Sequence, residues 1–398
     1  MKNFKVLRVV SSMNPSLGGP SQGIRNSIPE LKKLGVENEV VALNNPDEPF
    51  LTKDDFVIHA LGEHKGPWWY NANLLPWLKQ NLCNYDAVIV HGLWLYHGYA
   101  VNKALKFLKK NNIGPVPRVF VMPHGMLDPY FQKAAGRKLK AIRNWLYWKF
   151  IEGDLINNVA GVLFTTQDEL SLAKQSFTPY KPQKEINVGY GIVSPPAYSL
   201  LMKEAFSEKC SQINKNEPFL LFLSRIHEKK GVDLLIDAYA SILSDENAVL
   251  PNLVIAGPGL DTSYGLQMQE IVNNNSKLKK LIHFPGMLSG EAKWGAFYTC
   301  DAFILPSHQE NFGISVAEAL ACSKPVLISN QINIWREIES AGGGIVLEDT
   351  LNGTINLLKQ WQNLNNSDRK AMADNAKKAF ELYFSIAPHA INVKNALA

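Results

Sequence analysis

Apolar and polar positions alternate in a regular rhythm along the whole chain. Short, nearly continuous apolar runs are separated by stretches in which apolar residues recur at helical spacing. In the first half the predicted strands are KVLRVV, ENEVVAL, FVIHA, DAVIVHG, RVFVMPHG and GVLFTT, and the helices between them include SQGIRNSIPELKKLG and VNKALKFLKKN. The second half repeats the rhythm with PFLLFLSR, NLVIAG, IHFPG, DAFILPS, PVLIS and GGIVL. A last helix is predicted at about 368–383.

This rhythm predicts an α/β protein with two domains. Apolar strands that alternate with helices are typical of parallel sheets covered by helices on both faces. Two such sets predict two doubly wound, Rossmann-like domains, with the Gly- and Pro-rich stretch 187–200 as the expected boundary. Such sheets bind ligands at the carboxyl ends of their strands, and we expect those ends to face one another across a central cleft. Polar and Gly-rich residues directly after strands are therefore the candidates for chemistry.

Composition narrows the classes of function. The 398 residues are 46% apolar and 19% charged, which is ordinary for a globular chain of about two domains. The net charge of +5 favours anionic small molecules or an anionic membrane surface, but no basic run with aromatic spacing indicates nucleic-acid binding. Four cysteines without a CxxC pair predict reduced thiols of a cytoplasmic protein. No apolar stretch reaches the roughly 18 to 20 residues of a membrane span or resembles a signal peptide.

Two loops that follow predicted strands offer groups for an anion. Gly18 and Gly19 let the backbone approach a ligand closely, and the helix that begins near Ser21 presents free N–H groups. Arg225 and Lys230 follow the strand LLFLS, and two fixed cations there can stabilise a departing diphosphate. The alternatives are an ordinary strand-to-helix turn and a solvated basic loop.

Two further turns carry weaker signals. Gly257 and Gly259 form a GxG turn after the strand NLVIA, which fits either a tight turn beside a nucleotide or a turn alone. Backbone groups at Met287 and Leu288, after the strand IHFPG, can read the edge of a base.

Two histidines and one aspartate occupy strand ends in the first half. His124, beside Gly125, can bind a sugar hydroxyl or take part in catalysis, and His91 holds a similar position. Asp128 either contacts an acceptor or starts a turn before Pro129. For each histidine the alternative is a satisfied structural side chain.

The most informative stretch is HQENFGISVAEALAC. It reads as a loop followed by a helix, in which Glu310 lies in the loop and Glu318 lies about two turns into the helix. The N–H groups of Phe312, Gly313 and Ile314 are predicted at the helix start, where they can bind hydroxyls or phosphate. Carboxylates that only accept hydrogen bonds suit vicinal hydroxyl pairs, such as those of a ribose or a hexose. The alternative places Glu310 on the helix dipole and Glu318 on a solvated face.

These features together resemble the GT-B nucleotide-sugar glycosyltransferases of retaining family 4, whose E-x7-E motif is matched by Glu310 and Glu318. The resemblance covers nearly the whole chain. It implies that Arg225 and Lys230 hold the diphosphate, and that Glu310 and the backbone from Asn311 onward contact the donor sugar. It further implies that Glu318 binds the ribose, that His124 contacts the sugar and that Gly19 lies near the phosphates. The set implied to act in catalysis is His124, Glu310, Arg225 and Lys230, and His91 and Asp128 are expected at the acceptor.

The resemblance also implies a domain plan. Residues 1–192 form an acceptor-binding domain, 193–375 form the nucleotide-sugar domain, and a helix at about 376–398 packs back onto the first domain. One departure is Tyr190-Gly191, where the family usually has asparagine-glycine. The stretch PHGMLDPYFQ is similar to bacterial polysaccharide transferases, including cyanobacterial ones, which favours UDP-glucose as the donor.

The family resemblance implies a metal-independent hexosyltransferase that acts on a saccharide or lipid-linked saccharide. A nucleotide-sugar epimerase, a sugar phosphorylase and a non-catalytic sugar-nucleotide-binding protein are the alternatives. Basic residues and two tryptophans in 133–156 predict either peripheral contact with the inner face of a membrane or a solvated helix face.

Overall fold

Two parallel β-sheets account for the alternation of apolar runs and helices. The computed structural model describes residues 4–133, 138–213 and 217–398. One compact unit runs up to Gly191 and includes Ile386–Ala398, and the other is Ile192–Ser385. Both sheets are parallel at every pairing of neighbouring strands. The predicted α/β class with two Rossmann-like units is therefore confirmed.

The first unit is built on a seven-stranded sheet with the order β3-β2-β1-β4-β5-β6-β7. Its strands are β1 (Phe4–Val10), β2 (Val36–Ala42), β3 (Ile58–Ala60), β4 (Ala87–His91), β5 (Arg118–Met122), β6 (Gly161–Phe164) and β7 (Glu185–Asn187). The first six follow the predicted apolar runs. β7 was not predicted, because this half-exposed edge strand carries no apolar run.

Helices cover both faces of the first sheet. They are α1 (Gly19–Lys33), α2 (Leu74–Asn81), α3 (Tyr96–Lys110), α4 (Tyr130–Lys133), α5 (Lys138–Tyr147), α6 (Gly153–Asn158) and α7 (Gln167–Ala173). A π-helix, Trp148–Glu152, joins α5 to α6. Two apolar clusters on β1 illustrate the two covered faces, since Leu7 and Val9 belong to one and Val6 to the other.

The second unit is built on a six-stranded sheet with the order β10-β9-β8-β11-β12-β13. Its strands, all predicted, are β8 (Phe219–Leu223), β9 (Asn252–Ala256), β10 (Ile282–Gly286), β11 (Ala302–Leu305), β12 (Val326–Ser329) and β13 (Gly344–Leu347). Its helices are α8 (Leu200–Lys209), α9 (Val232–Ile242), α10 (Ser263–Asn273), α11 (Ser276–Leu281), α12 (Gly290–Thr299), α13 (Ile314–Ala321), α14 (Trp335–Ala341), α15 (Leu351–Asn363) and α16 (Asn366–Ala379).

The C-terminal segment is divided between the two units. The π-helix Phe380–Phe384 follows α16 and stays with the second unit, where Phe384 packs edge-on against Phe312 with ring centroids 5.8 Å apart. Extended backbone at Ser385 ends that turn, and α17 (Ile386–Leu397) buries Val393 and Leu397 in a core cluster of the first unit. Of the expected return segment 376–398, the part before Ile386 thus belongs to the second unit.

No helix within the described ranges combines the length and apolar character needed to cross a membrane.

Candidate functional site

The loop after β8 is shaped by a short 3-10 turn, Glu228–Lys230. The His227 ring accepts a hydrogen bond from the N–H of Lys229 at 3.1 Å and so caps the turn. Gly231 then starts α9 with a φ of +69°, and a Cβ atom there would lie 2.3 Å from the carbonyl oxygen of Pro306. Only glycine permits this approach, which brings the β8 loop against the loop that follows β11.

The central contact of the second unit is an ion pair between Lys230 and Glu310. The Lys230 ammonium contacts the Glu310 carboxylate, and the Lys230 side chain is 7% exposed. β8 and β11 are neighbouring parallel strands, so the loops at their carboxyl ends lie side by side. The backbone of Glu310 is fixed as well, because its N–H donates to Gln331 at 3.0 Å and its carbonyl accepts from Asn333 at 3.0 Å.

Ser307 and Lys229 tie the same two loops together. Ser307 is fully buried, and its hydroxyl lies 2.8 Å from the carbonyl oxygen of Lys229. The N–H of His308 donates to that oxygen at 2.9 Å, and the Lys229 ammonium lies 2.6 Å from Oε1 of Gln309. Ser307 was not predicted as a site residue, although a polar side chain two residues after a buried strand is a usable signal. Arg225 lies on the same β8 loop and is exposed.

The helix that follows Glu310 begins at a left-handed glycine. Gly313 has a φ of +77° and precedes α13. The first N–H groups of a helix have no partner within the helix, so they can meet an anion or a hydroxyl at this end. Phe312 is buried, and its packing on Phe384 anchors the turn. This is the loop-to-helix geometry that the sequence predicted for this stretch.

Glu318 occupies a separate, more buried position on α13. Its Oε1 lies 2.6 Å from the ammonium of Lys293 on α12, and its side chain is 13% exposed. Burial raises the pKa of Glu318, and the nearby Lys293 ammonium opposes that rise. The two motif carboxylates therefore hold different cations, and a ligand that binds Glu318 also meets Lys293. Lys293 had no sequence signal, because nothing in its helix marks it as part of a motif.

Gly257 and Gly259 allow two strand-end loops to touch. Gly257 has a φ of +145°, and a Cβ there would lie 1.8 Å from the carbonyl oxygen of Ser224. At Gly259 the corresponding distance to the carbonyl oxygen of Ile226 is 2.7 Å. Both glycines thus bring the β9 loop against the β8 loop that carries Arg225.

The two residues after β10 differ sharply in exposure. Met287 is 67% exposed, whereas the side chain of Leu288 is buried. Any side-chain contact with a ligand here therefore falls to Met287, and Leu288 offers backbone groups.

In the first unit, the loop between β1 and α1 has open space beside its two glycines. Gly18 has a φ of +100°, and a Cβ at Gly18 or Gly19 would meet no atom within 4 Å. The Tyr190 hydroxyl donates to the carbonyl of Gly19 at 2.9 Å, and its ring packs against Gly23. The tyrosine that replaces the family's usual asparagine therefore supports the glycine loop directly.

His91 and His124 meet at the ends of β4 and β5. Nδ1 of His91 lies 2.9 Å from Nε2 of His124, and Nε2 of His91 lies 3.4 Å from Nη1 of Arg8. His91 is buried. Burial, and to a smaller extent electrostatic interaction with His124 and Arg8, holds its pKa well below the usual range. Burial likewise lowers the pKa of His124 to about 3. Both nitrogens of His91 are engaged, which leaves its ring no free polar atom for an acceptor.

Asp128 is buried and supports a turn. Its Oδ1 accepts a hydrogen bond from the N–H of Tyr130 at 2.8 Å, at the start of α4. This contact matches one of the two roles predicted from the sequence, that of starting a turn before Pro129.

Comparisons with known proteins identify the family and the fold of the chain. Residues 203–379 match the family model for glycosyl transferases group 1, and residues 17–183 match that for glycosyltransferase family 4. Among solved structures, Anabaena HepE in complex with UDP and glucose superposes with a TM-score of 0.73 over 99% of both chains, at 17% sequence identity. That likeness shows the GT-B fold.

The matches to curated relatives cover only part of each chain. An uncharacterized glycosyltransferase of Methanocaldococcus jannaschii is 27% identical over 53% of this chain and 54% of its own length. The N,N'-diacetylbacillosaminyl-diphospho-undecaprenol alpha-1,3-N-acetylgalactosaminyltransferase of Campylobacter jejuni is 29% identical over 38% of this chain and 36% of its own length. The chain thus spans about half or less of the curated relatives it matches. The two family models together cover most of the chain, which belongs to the family 4, group 1 glycosyltransferases.

Proposed function

We propose that this protein transfers a hexose, glucose from UDP-glucose, to a hydroxyl group of a saccharide or lipid-linked saccharide, with retention of anomeric configuration. The observation that carries the proposal is the Lys230–Glu310 ion pair at the carboxyl ends of β8 and β11. It places a buried cation and an acceptor-only carboxylate side by side, which matches the diphosphate and the hydroxyls of a nucleotide-sugar. The Anabaena neighbour, which was solved with UDP and glucose, supports this choice of donor.

Each group then has a distinct task. Lys230 and Arg225 stabilise the charge on the departing UDP, and Glu310 with the N–H groups at Gly313 and Ile314 orients the sugar. The acceptor oxygen attacks the anomeric carbon on the face from which UDP leaves. The bond to the β-phosphate oxygen breaks, and that phosphate takes the proton of the acceptor hydroxyl. Because two cations supply the charge that a diphosphate needs, we propose that no divalent metal is required.

A donor panel tests this function. UDP, GDP and ADP sugars are incubated with the full chain, with and without EDTA, and released nucleotide is measured. Slow release of UDP from UDP-glucose, unchanged by EDTA, is the expected result. A sugar isomer without free nucleotide would identify an epimerase, and dependence on orthophosphate would identify a phosphorylase. Binding by calorimetry without turnover in the presence of saccharide acceptors would leave only a binding protein.

We also propose that α5 rests on an anionic membrane surface at the inner face of the membrane. Its exposed apolar side chains are Leu139 (84%), Ile142 (58%), Trp145 (52%), Leu146 (43%) and, just beyond it, Phe150 (70%). The same stretch of sequence carries four exposed basic side chains: Lys138, Lys140, Arg143 and Lys149. Exposed apolar and basic side chains on one short helix suit an interface with acidic lipid headgroups. A lipid-linked acceptor would be met at such a surface.

Two parts of the predicted basic stretch fall outside this surface. Trp148 is buried and stacks on Phe177 with ring centroids 4.8 Å apart, so it cannot contact lipid. Residues 134–137, including Arg137, lie outside the described residues.

A further inference from the structure

Arg8 is an unusual residue for a buried strand. It lies inside β1, its side chain is 1% exposed, and burial lowers its pKa to about 10, so it stays cationic at neutral pH. Its Nε donates to Oδ1 of Asn38 at 2.9 Å, and its Nη1 lies 3.4 Å from Nε2 of His91. Within the described ranges, Nη2 has no hydrogen-bond partner. A cation buried at this cost needs a reason beyond packing.

The Arg8 guanidinium determines where His91 carries its proton. A guanidinium only donates hydrogen bonds, so Nε2 of His91 must accept. A neutral imidazole has one N–H, and for His91 it is then on Nδ1. Nδ1 of His91 lies 2.9 Å from Nε2 of His124, so His91 donates and His124 accepts. By the same rule the proton of a neutral His124 resides on Nδ1.

We propose that Arg8 and His91 are positioning residues that fix His124 as the Nδ1–H tautomer, so that His124 offers a bound substrate a neutral hydrogen-bond donor. Free histidine in water prefers the Nε2–H form, so the arrangement selects the less favoured tautomer. The chemical partner of Nδ1–H is an oxygen acceptor, either a sugar hydroxyl or a phosphate oxygen. The catalytic meaning of this donor rests on the proposed transfer, but the tautomer itself does not.

The surroundings of His124 favour a neutral ring. Arg8 on β1 and His389 on α17 both disfavour a second positive charge on His124, in addition to the effect of burial. His97 on α3 lies 2.9 Å from the carbonyl oxygen of His91, to which its Nε2–H donates. The carboxylate of Glu169 on α7 accepts from the N–H of Gly125 at 2.5 Å. The Arg8 guanidinium and two neutral imidazole rings thus lie near the pair, and the Glu169 carboxylate is occupied by backbone N–H groups and by the Thr165 hydroxyl.

The backbone of His124 supports a functional reading. His124 has a φ of +54°, a left-handed conformation that is uncommon for a non-glycine residue and is concentrated at functional sites. In the part of the chain that the structure describes, Nδ1 of His124 makes no hydrogen bond to protein, which leaves it available to a ligand.

Two-bond proton–nitrogen correlation spectra of the full 15N-labelled chain at neutral pH test the proposal without any substrate. Comparison with His124→Gln identifies the His124 signals among the nine histidines. The expected wild-type pattern has a protonated Nδ1 and an unprotonated Nε2. His91→Asn keeps a side-chain N–H donor near the Nδ1 position and should retain the pattern, whereas His91→Leu removes the donor and should shift His124 mainly to Nε2–H.

The same spectra contain the outcomes that would overturn the proposal. A wild-type His124 that is Nε2-protonated or cationic at neutral pH would contradict it, as would an unchanged tautomer in His91→Leu. In Arg8→Met, His91 should no longer be confined to the Nδ1–H tautomer. If that variant does not fold, the spectra of wild type, His91→Asn and His91→Leu are sufficient to test the proposal. His283→Asn, a buried histidine of the second unit, is the control and should leave His124 unchanged. A correct tautomer without nucleotide release would reject the transfer function and leave this inference standing.

Discussion

The ammonium of Lys230 contacts the carboxylate of Glu310, although the two residues lie 80 positions apart in the chain. The register of β8 against β11 makes this contact, since Leu221 and Phe303 lie opposite each other and both strands then end at the same edge. Each residue neutralises the other before a donor arrives. Under the proposed function, the donor would meet a site whose charges are already fixed, which is the condition for electrostatic preorganisation.

Removal of either member of this pair should slow the reaction strongly. We expect Lys230→Ala and Glu310→Ala each to lower kcat for UDP release by about 10²- to 10³-fold, the usual cost of losing one preorganised stabilising group. Lys277→Ala is the matched control, because the Lys277 ammonium donates to the backbone carbonyl of Leu243 in the same unit, at 2.7 Å. Initial rates are compared after circular dichroism has shown that each variant is folded. Near-normal rates in folded variants would remove the pair from the site.

The contact between Gly23 and Tyr190 predicts a reversal of the usual effect of alanine in a helix. Alanine in place of glycine normally stabilises a helix interior by about 1 kcal/mol. At Gly23 the new Cβ would lie 2.8 Å from the hydroxyl and a ring carbon of Tyr190, so we expect Gly23→Ala to cost roughly 1–3 kcal/mol. In a Tyr190→Asn background the ring is absent, and the same change should be neutral or stabilising.

Urea unfolding of the four proteins of this double-mutant cycle measures the coupling. Equal effects of Gly23→Ala in both backgrounds would mean that the Tyr190 ring does not constrain α1. The result also bears on the loop between β1 and α1, because the Tyr190 hydroxyl donates to the carbonyl of Gly19.

All strands except the half-exposed β7, and the principal loops, could be predicted because buried parallel strands are continuous apolar runs in the sequence. The same reasoning placed Lys230 and Glu310 after strands. It could not predict that they contact each other, because the order of strands in a sheet cannot be derived from a local sequence pattern. Lys293 was beyond prediction because it meets Glu318 only through a tertiary ion pair between α12 and α13, which leaves no trace in the local sequence. Arg8 was not: a lone arginine inside the apolar run KVLRVV must find buried partners, and that signal was available.

Glu152 predicts a pH dependence of stability. Its carboxylate is buried at the end of the π-helix, and burial raises its pKa to about 7. Oε1 accepts from the N–H of Trp94 at 2.9 Å, whereas Oε2 has no hydrogen-bond partner in the described part of the chain. Between pH 4.5 and about 7 the folded state binds more protons at Glu152 than the unfolded state does. The contribution of Glu152 to the free energy of unfolding therefore falls as the pH rises.

Glu152→Gln removes this titration. We expect its unfolding free energy, relative to wild type, to rise by roughly 3 kcal/mol between pH 4.5 and pH 7.5, whatever its offset at low pH. Urea unfolding at several pH values measures the slope. Asp154→Asn is the control, because the ammonium of Lys106 helps to hold the Asp154 pKa below its usual value and its titration therefore ends below this window. A slope equal to that of wild type would show that Glu152 titrates normally.

The apolar side chains exposed on and beside α5 predict binding to acidic lipid. Sedimentation with vesicles of phosphatidylcholine alone, or with added phosphatidylglycerol, measures the bound fraction. We expect binding only to the anionic vesicles, and a loss of about tenfold or more in Leu139→Glu/Phe150→Glu, which replaces two apolar contacts with charges that the lipid repels. Leu266→Glu/Val249→Glu is a matched control, because those side chains are also exposed and apolar but lie in the second unit. Salt should weaken the binding, since the basic residues around α5 act through screened charges. Equal binding of Leu139→Glu/Phe150→Glu and of the control double variant to anionic vesicles would contradict the assignment of this helix to the membrane. Binding of the wild type to phosphatidylcholine vesicles without phosphatidylglycerol would contradict the requirement for an anionic surface.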